Sequence, residues 1–281
     1  MGIVDDKVIV IVGAGRGIGR AAALLFAKEG ARVALNDNGA ERDGSGADPN
    51  VAKAVADEIG SAGGTAVVVT ADVTTTDGAD RLIAETEAAL GRVDSLVYLA
   101  GALGEQQLAR IDEATWERVL RIHLTGALYA TRAAAASMQR QRHGGRVVLT
   151  TSAGGMIGNF GASAYAAAAA GVYGLMRSTS IELQRHGIFV NAVAPLAKTR
   201  LTEDLPMFEH VDTMTPEHAA PAYLFFGSDL SGDLTGNVLG IAGGRISLFK
   251  VDETNGRFKD DDGGVWRAEE IRDQWNRAGK F

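Results

Sequence analysis

The stretch that most constrains the fold runs from Lys7 to Gly30. Lys7–Val12 (KVIVIV) is a continuous apolar run rich in β-branched residues, which reads as a strand covered on both faces. Gly13-Ala14-Gly15-Arg16-Gly17-Ile18-Gly19 follows at once, and a helical stretch then runs through Phe26 and stops near Gly30. Glycines placed between a strand and a helix let the backbone approach a pyrophosphate. The helix start adds unpaired N–H groups and partial positive charge. The glycines at 13, 17 and 19 are spaced G-x-x-x-G-x-G, and residue 18 is isoleucine where G-x-G-x-x-G would need glycine.

Strands and helices keep alternating after this unit. Arg32–Leu35 reads as a second strand ending at Asn36-Asp37-Asn38. An acid about 20 residues past the glycines can accept hydrogen bonds from adenosine ribose hydroxyls and repel a 2′-phosphate. Asp37 therefore favours NAD over NADP, with Arg16 pulling weakly the other way; the alternative for Asp37 is a plain turn aspartate. Gly39–Asn50 is a polar, glycine-rich loop, longer than a usual strand–helix connection. A helix is expected over Val51–Ala62, a strand over Thr65–Thr70 before Asp72-Val73, a helix over Asp77–Leu90 and a strand over Val93–Leu99. One long helical segment is expected from Asp112 to about Gln141. Val147–Thr150 reads as a buried strand that delivers the hydroxyls of Thr150, Thr151 and Ser152, with a glycine-rich loop after it. Tyr165 lies near the start of an alanine-rich helix. Gly187–Val193 is the next strand, Thr215-Pro216 starts a helix with threonine as N-cap, and Asn237–Ala242 is the last short strand. The alternation predicts an α/β fold, a doubly wound parallel sheet of about seven strands with helices on both faces. Residues 1–245 form the expected main domain, and 246–281 an extension packed on it.

Composition excludes several classes of function. The 281 residues carry a net charge of −7, which argues against a nucleic-acid surface. With no cysteine there is no thiolate chemistry or disulfide, which is compatible with a cytoplasmic location. No apolar run approaches a membrane span, and the N-terminus lacks a signal-peptide layout. The expected partners are a small-molecule substrate and further copies of the chain. Two long alanine-rich segments, Trp116–Met138 and Ala162–Leu183, permit close helix packing in a dimer or tetramer.

Ser152 precedes Tyr165 by thirteen residues, and with the glycine spacing this resembles the short-chain dehydrogenase/reductase family. The resemblance covers roughly residues 5–245. It implies NAD-linked hydride transfer between a secondary alcohol and a ketone, with Ser152 orienting the carbonyl and Tyr165 as acid/base. It further implies cofactor contacts from Gly13, Arg16, Gly17, Ile18, Gly19, Asp37, Asp72, Val73, Ala100, Gly101, Tyr165, Pro195 and Thr199. No metal is implied.

Five positions depart from the family pattern. Val12 replaces a threonine, and Tyr98-Leu99-Ala100-Gly101 stands where Asn-Asn-Ala-Gly is usual. His123 stands where many members have a catalytic asparagine. A branch resembling multifunctional-enzyme 3-hydroxyacyl-CoA dehydrogenases has histidine there, as well as the Asn-Asp, the long polar loop and a run like Pro195–Thr202. On that resemblance His123 is a relay or orienting group, and the substrate a 3-hydroxyacyl thioester or a steroid-like ketone; otherwise it is a structural helix histidine. Finally, the family's lysine four residues after the tyrosine is Ala169. A tyrosine of pKa near about 10 is protonated at neutral pH without a nearby ammonium. Lys198 is one candidate substitute donor. Three readings follow: a slow or assisted enzyme, a non-catalytic cofactor-binding protein or partner subunit, and an active parent from which the lysine was removed.

Overall fold

Val8–Val12 is β1, and all five of its residues are buried. Its side chains divide by the strand's period of two. Val8, Val10 and Val12 join one apolar layer, while Ile9 and Ile11 join the other. A strand with no solvated face requires cover on both sides, and the helices provide it. The computed structural model describes residues 2–279 apart from 103, 105, 205–207 and 209–212. Its two compact units are Met1–Phe249 and Lys250–Phe281.

In the first unit the order of elements begins β1, α1 (Gly17–Lys28), β2 (Arg32–Asn36), α2 (Asn50–Ser61), β3 (Thr65–Val68), α3 (Thr76–Leu90) and β4 (Ser95–Tyr98). Helices α4 (Glu113–Leu120) and α5 (Gly126–Gln141) come next, then β5 (Gly145–Thr150), α6 (Ala153–Ile157) and α7 (Ser163–Gln184). The unit closes with β6 (Ile188–Leu196), α8 (Pro216–Gly227), β7 (Val238–Ala242) and β8 (Arg245–Phe249). The strands form one sheet in the order β3-β2-β1-β4-β5-β6-β7-β8, parallel up to β7. Helices α3, α5 and α7 bury their apolar faces on one side of it, and α1, α2 and α8 on the other. Phe26 and Tyr223, both fully buried, anchor the second layer. The strand order reverses between β1 and β4, and in open α/β sheets the crevice outside the carboxyl ends of the strands at such a switch point is the usual ligand site.

Three elements depart from the sequence expectation. The sheet does not end at Ala242: the chain reverses through Gly243-Gly244 and returns antiparallel as β8, with Ala242 opposite Arg245. Gly243 has φ +54°, as such two-residue hairpin turns demand. The strand therefore reaches into the expected extension, as far as Phe249. The expected long helix over 112–141 is interrupted by a π turn, Arg121–Thr125, in which the Gly126 N–H donates to the carbonyl of Arg121, five residues back. The glycine-rich loop after β5 holds the short helix α6, started by Ser152.

In the second unit, Lys259 lies 2.7 Å from Glu270 and 6.0 Å from the centroid of the Trp266 ring. Glu270 also accepts from the Arg267 N–H, capping α9 (Ala268–Ala278). The hydrogen bond from Lys259 holds the Glu270 carboxyl down at about 2.

Candidate active site

The glycine loop joins β1 to α1 by contacts that only glycine allows. Gly13 has φ +82°, and a Cβ there would lie 2.7 Å from the Ala100 nitrogen. A Cβ on Gly19 would lie 1.8 Å from the Gly13 carbonyl oxygen. The loop is therefore pressed both onto the segment after β4 and onto its own helix. The first turn of α1 contains no acid that would cancel its partial positive charge.

Asp37, just past β2, has both carboxylate oxygens on this loop and its own turn. Oδ2 accepts from the Gly15 N–H at 2.7 Å and Oδ1 from the Gly39 N–H at 2.7 Å. Each oxygen keeps lone-pair capacity for further donors. Asn36 is buried and donates to the carbonyls of Val69 and Ala71, tying the end of β2 to the chain beyond β3. Val73 is buried nearby in sequence, while the Asp72 carboxylate is exposed and accepts from Thr74 N at 3.0 Å and Thr74 Oγ1 at 2.7 Å. Asp72 thus builds the turn into α3. Its burial and partners single out no cofactor contact.

Arg16 donates to the Ala40 carbonyl at 3.0 Å, and Arg200 donates to the same oxygen at 2.6 Å. Arg42 pairs with Asp204 at 2.5 Å. The polar loop after β2 is so strapped to the segment after β6. Thr199, on that segment, comes within 3.4 Å of where a Gly17 Cβ would stand. Pro195 lies in β6 itself, paired with Ile241. The strap carries no short motif in the sequence; its signal is the set of arginines at 16, 42 and 200.

The three hydroxyls at the end of β5 have separate fates. Thr150 Oγ1 donates to the Tyr98 carbonyl at 2.7 Å and meets the Tyr223 hydroxyl at 2.9 Å. Thr151 Oγ1, buried, donates to the Ala169 carbonyl at 2.8 Å. Ser152, by contrast, is only partly buried. Its Oγ accepts from the Gly154 N–H at 3.1 Å as the N-cap of α6, which leaves its own O–H available to donate.

Tyr165 lies in the first turn of α7, and His123 meets it edge to face. The ring centroids are 5.2 Å apart at an interplanar angle of 83°. His123 Nε2 is 2.9 Å from the Ala102 carbonyl oxygen and 3.1 Å from the Ala102 nitrogen, so the tautomer decides which bond forms. A Cβ on Gly101 would lie 2.5 Å from the imidazole, so glycine is what lets the ring reach the chain after β4. Burial holds the imidazole below the usual histidine range, and the bond with Ala102 only partly opposes this. The ring is neutral at pH 7, suited to polarise or relay and not to act as a fixed cation.

Ala169 lies one turn beyond Tyr165 and is buried. Helix α6 covers it: a Cβ on Gly155 would lie 2.7 Å from the Ala169 methyl. No metal-binding cluster of His, Asp or Glu occurs among the described residues, and none of their helices is long and apolar enough to cross a membrane.

Comparison with known proteins agrees with this geometry. The family model described as short chain dehydrogenase matches residues 7–208. A short-chain type dehydrogenase/reductase of Mycobacterium tuberculosis is 39% identical over 90% of this chain and 88% of its own length. The hydroxyacyl-CoA dehydrogenase ChsB1 of the same organism is 33% identical over 95% of this chain and 86% of its own. Mouse peroxisomal multifunctional enzyme type 2 is 34% identical over 99% of the chain, which spans only 37% of that longer protein. The crystal structure of carveol dehydrogenase from Mycobacterium avium in complex with NAD superposes with a TM-score of 0.78 at 29% identity, over 85% of this chain and 97% of that one. With its glycine loop, its Ser152–Tyr165 spacing and this doubly wound sheet, the chain belongs to the short-chain dehydrogenase/reductase family of oxidoreductases.

Proposed function

We propose that the chain transfers hydride between a secondary alcohol and a ketone, with NAD(H) preferred and a 3-hydroxyacyl thioester or steroid-like ketone as substrate. The observation that carries this reading is the edge-to-face contact of His123 with Tyr165, together with the inward bonds of Thr150 and Thr151, which leave Ser152 as the candidate hydroxyl at the end of β5. The residues present suit a dinucleotide: a glycine loop free of acids, a helix N-terminus behind it and a carboxylate fixed at the end of β2. A bound nicotinamide ring supplies or accepts the hydride. Backbone N–H groups at Arg16–Gly19 bind the pyrophosphate, and Asp37 accepts from the adenosine ribose hydroxyls. Val73, Ala100, Gly101, Pro195 and Thr199 are assigned the remaining cofactor contacts on the strength of the family resemblance. Ser152 donates to the substrate oxygen, Tyr165 gives or takes the proton there, and His123 orients the tyrosine and relays to it. Acid–base assistance of this kind contributes about 10²–10⁴-fold in rate.

Ala169, in the lysine position, supplies no ammonium to stabilise the Tyr165 phenolate, so alcohol oxidation at neutral pH is expected to suffer most. The second reading, a cofactor-binding protein without turnover, draws on the same residue: α6 closes over Ala169 and leaves it no contact with solvent. Purified chain titrated with NADH and NADPH, followed by turnover assays on ketones and acyl-CoA thioesters, separates the two. Reduction of a ketone or 3-ketoacyl thioester supports the enzyme. Tight binding with no turnover across the panel replaces it with the second reading.

A further inference from the structure

Tyr98 ends β4 where the family pattern has an amide, and its side chain does not open into the crevice. It is buried, and its hydroxyl donates to the Ile122 carbonyl at 2.5 Å. That carbonyl lies in the π turn. In an α-helix the Ile122 carbonyl would take the Gly126 N–H, four residues on, but here that N–H goes to Arg121. The phenol supplies a donor at the carbonyl that the change of register bypasses.

Gly126 points the same way. Its backbone is ordinary helix, φ −62° and ψ −42°, so no turn geometry calls for glycine. Glycine costs helix stability relative to alanine, and its presence needs another reason. A Cβ there would lie 2.1 Å from the Tyr98 hydroxyl oxygen. The glycine makes room for the phenol's oxygen, which phenylalanine at 98 would not need.

The chain around β4 therefore grips the π turn twice. Tyr98 holds Ile122, and four residues later Ala102 meets the next residue, His123, with Gly101 leaving space for the ring. π turns are frequent at functional sites because the extra residue re-aims a side chain. We propose that Tyr98 is a positioning residue: its hydroxyl on the Ile122 carbonyl holds the π turn that stands His123 against Tyr165. The exchange of amide for tyrosine at 98 is then a replacement part of the site. This rests on reading His123 as the group that serves Tyr165.

The test reads the imidazole and not turnover, so it can fail while the enzyme reading stands, and the reverse. The full chain is labelled with 15N-histidine, and the His123 signals are assigned by their loss in His123→Asn. In the intact chain His123 titrates below the ordinary histidine range. In Tyr98→Phe, which removes one oxygen and keeps the buried ring, its midpoint moves up by about half a pH unit or more as the turn relaxes. Gly126→Ala, which keeps the phenol and displaces it, gives the same shift, and the double variant shifts no further. A folded Tyr98→Phe whose His123 midpoint is unchanged overturns the proposal, even if its melting temperature falls. So does a shift in Tyr98→Phe that Gly126→Ala does not reproduce. Should Tyr98→Phe fail to fold, Gly126→Ala decides alone.

Discussion

Ala169 is the residue on which the chemistry turns. Residues 165 and 169 are four apart on α7, so their Cβ atoms share a face at about 5–6 Å. In Ala169→Lys an ammonium enters beside the phenol. Lowering the tyrosine pKa by about two to three units raises the phenolate population roughly 100- to 1,000-fold at neutral pH. The expected result is faster turnover, most of all in alcohol oxidation, with the gain flattening as pH approaches the unassisted tyrosine pKa. Because α6 closes on Ala169, the added methylenes cost about 1–3 kcal/mol of stability. A pH–rate profile and a melting curve check both halves, and a folded, cofactor-binding variant that is no faster at any pH refutes the gain. Asp37→Asn removes the charge proposed to accept from the ribose hydroxyls. NADH affinity should fall about 10-fold or more, by the loss of a charged hydrogen bond, while NADPH loses little; an unchanged ratio in fluorescence titrations counts against the assignment. His123 sets a pH dependence of stability. Its folded pKa lies below the unfolded value of 6.5, so the unfolded chain binds more protons between the two. The stability tied to the neutral ring is full above 6.5 and is lost as pH falls through that window. Melting temperatures from pH 7.5 to 5 should decline less steeply in His123→Asn than in the native chain.

Among the elements, the strap over the glycine loop is the part most open to test. The Arg42–Asp204 pair is well exposed, and such pairs contribute about 0.2–1 kcal/mol. Asp204→Asn should therefore barely change the melting temperature. It should speed NADH dissociation about 3-fold or more in stopped flow, since the pair helps close the segment after β6 over the loop. An unchanged dissociation rate would show that the strap does not retain the cofactor. The elements also show how far local pattern reaches. Strand β1, the glycine loop and α1 are legible because each residue's role follows from its neighbours. Thr215 caps α8 in a capping box closed by His218, as its place before Pro216 suggests. The break in the helix over 112–141 was not legible, because Arg121–Thr125 has no proline and only Gly126 beside it. The bond that we propose holds it comes from Tyr98, 24 residues before Ile122.

For the whole molecule the open question is assembly. Of the alanines of α5, Ala127, Ala130 and Ala134 are fully buried against the chain's own sheet, while Ala136 is exposed. What the α4–α5 face presents outward is Trp116 and Leu128, large apolar side chains that remain exposed. An assembly through this face is expected to give a light-scattering mass at micromolar concentration of twice or four times 29.3 kDa. Leu128→Glu should lower that mass, and a native mass at the monomer value would refute the assembly.

The sequence by itself determined the parallel sheet, the glycine loop at its centre and the candidates Ser152, Tyr165 and Asp37. Burial on both faces, turn chemistry and residue spacing are local properties, written in consecutive residues. Only the tertiary structure decided which hydroxyls after β5 turn inward. Thr151 turns to a carbonyl 18 residues on and Thr150 to a tyrosine 73 residues on, and neither partner can be read at residue 150 or 151. It decided likewise that most alanines of α5 are core, that the sheet gains an eighth strand and that His123 stands against Tyr165. Hydrogen-bond partners and close contacts are chosen among residues far apart in the chain, and that choice exists only once the layers have packed.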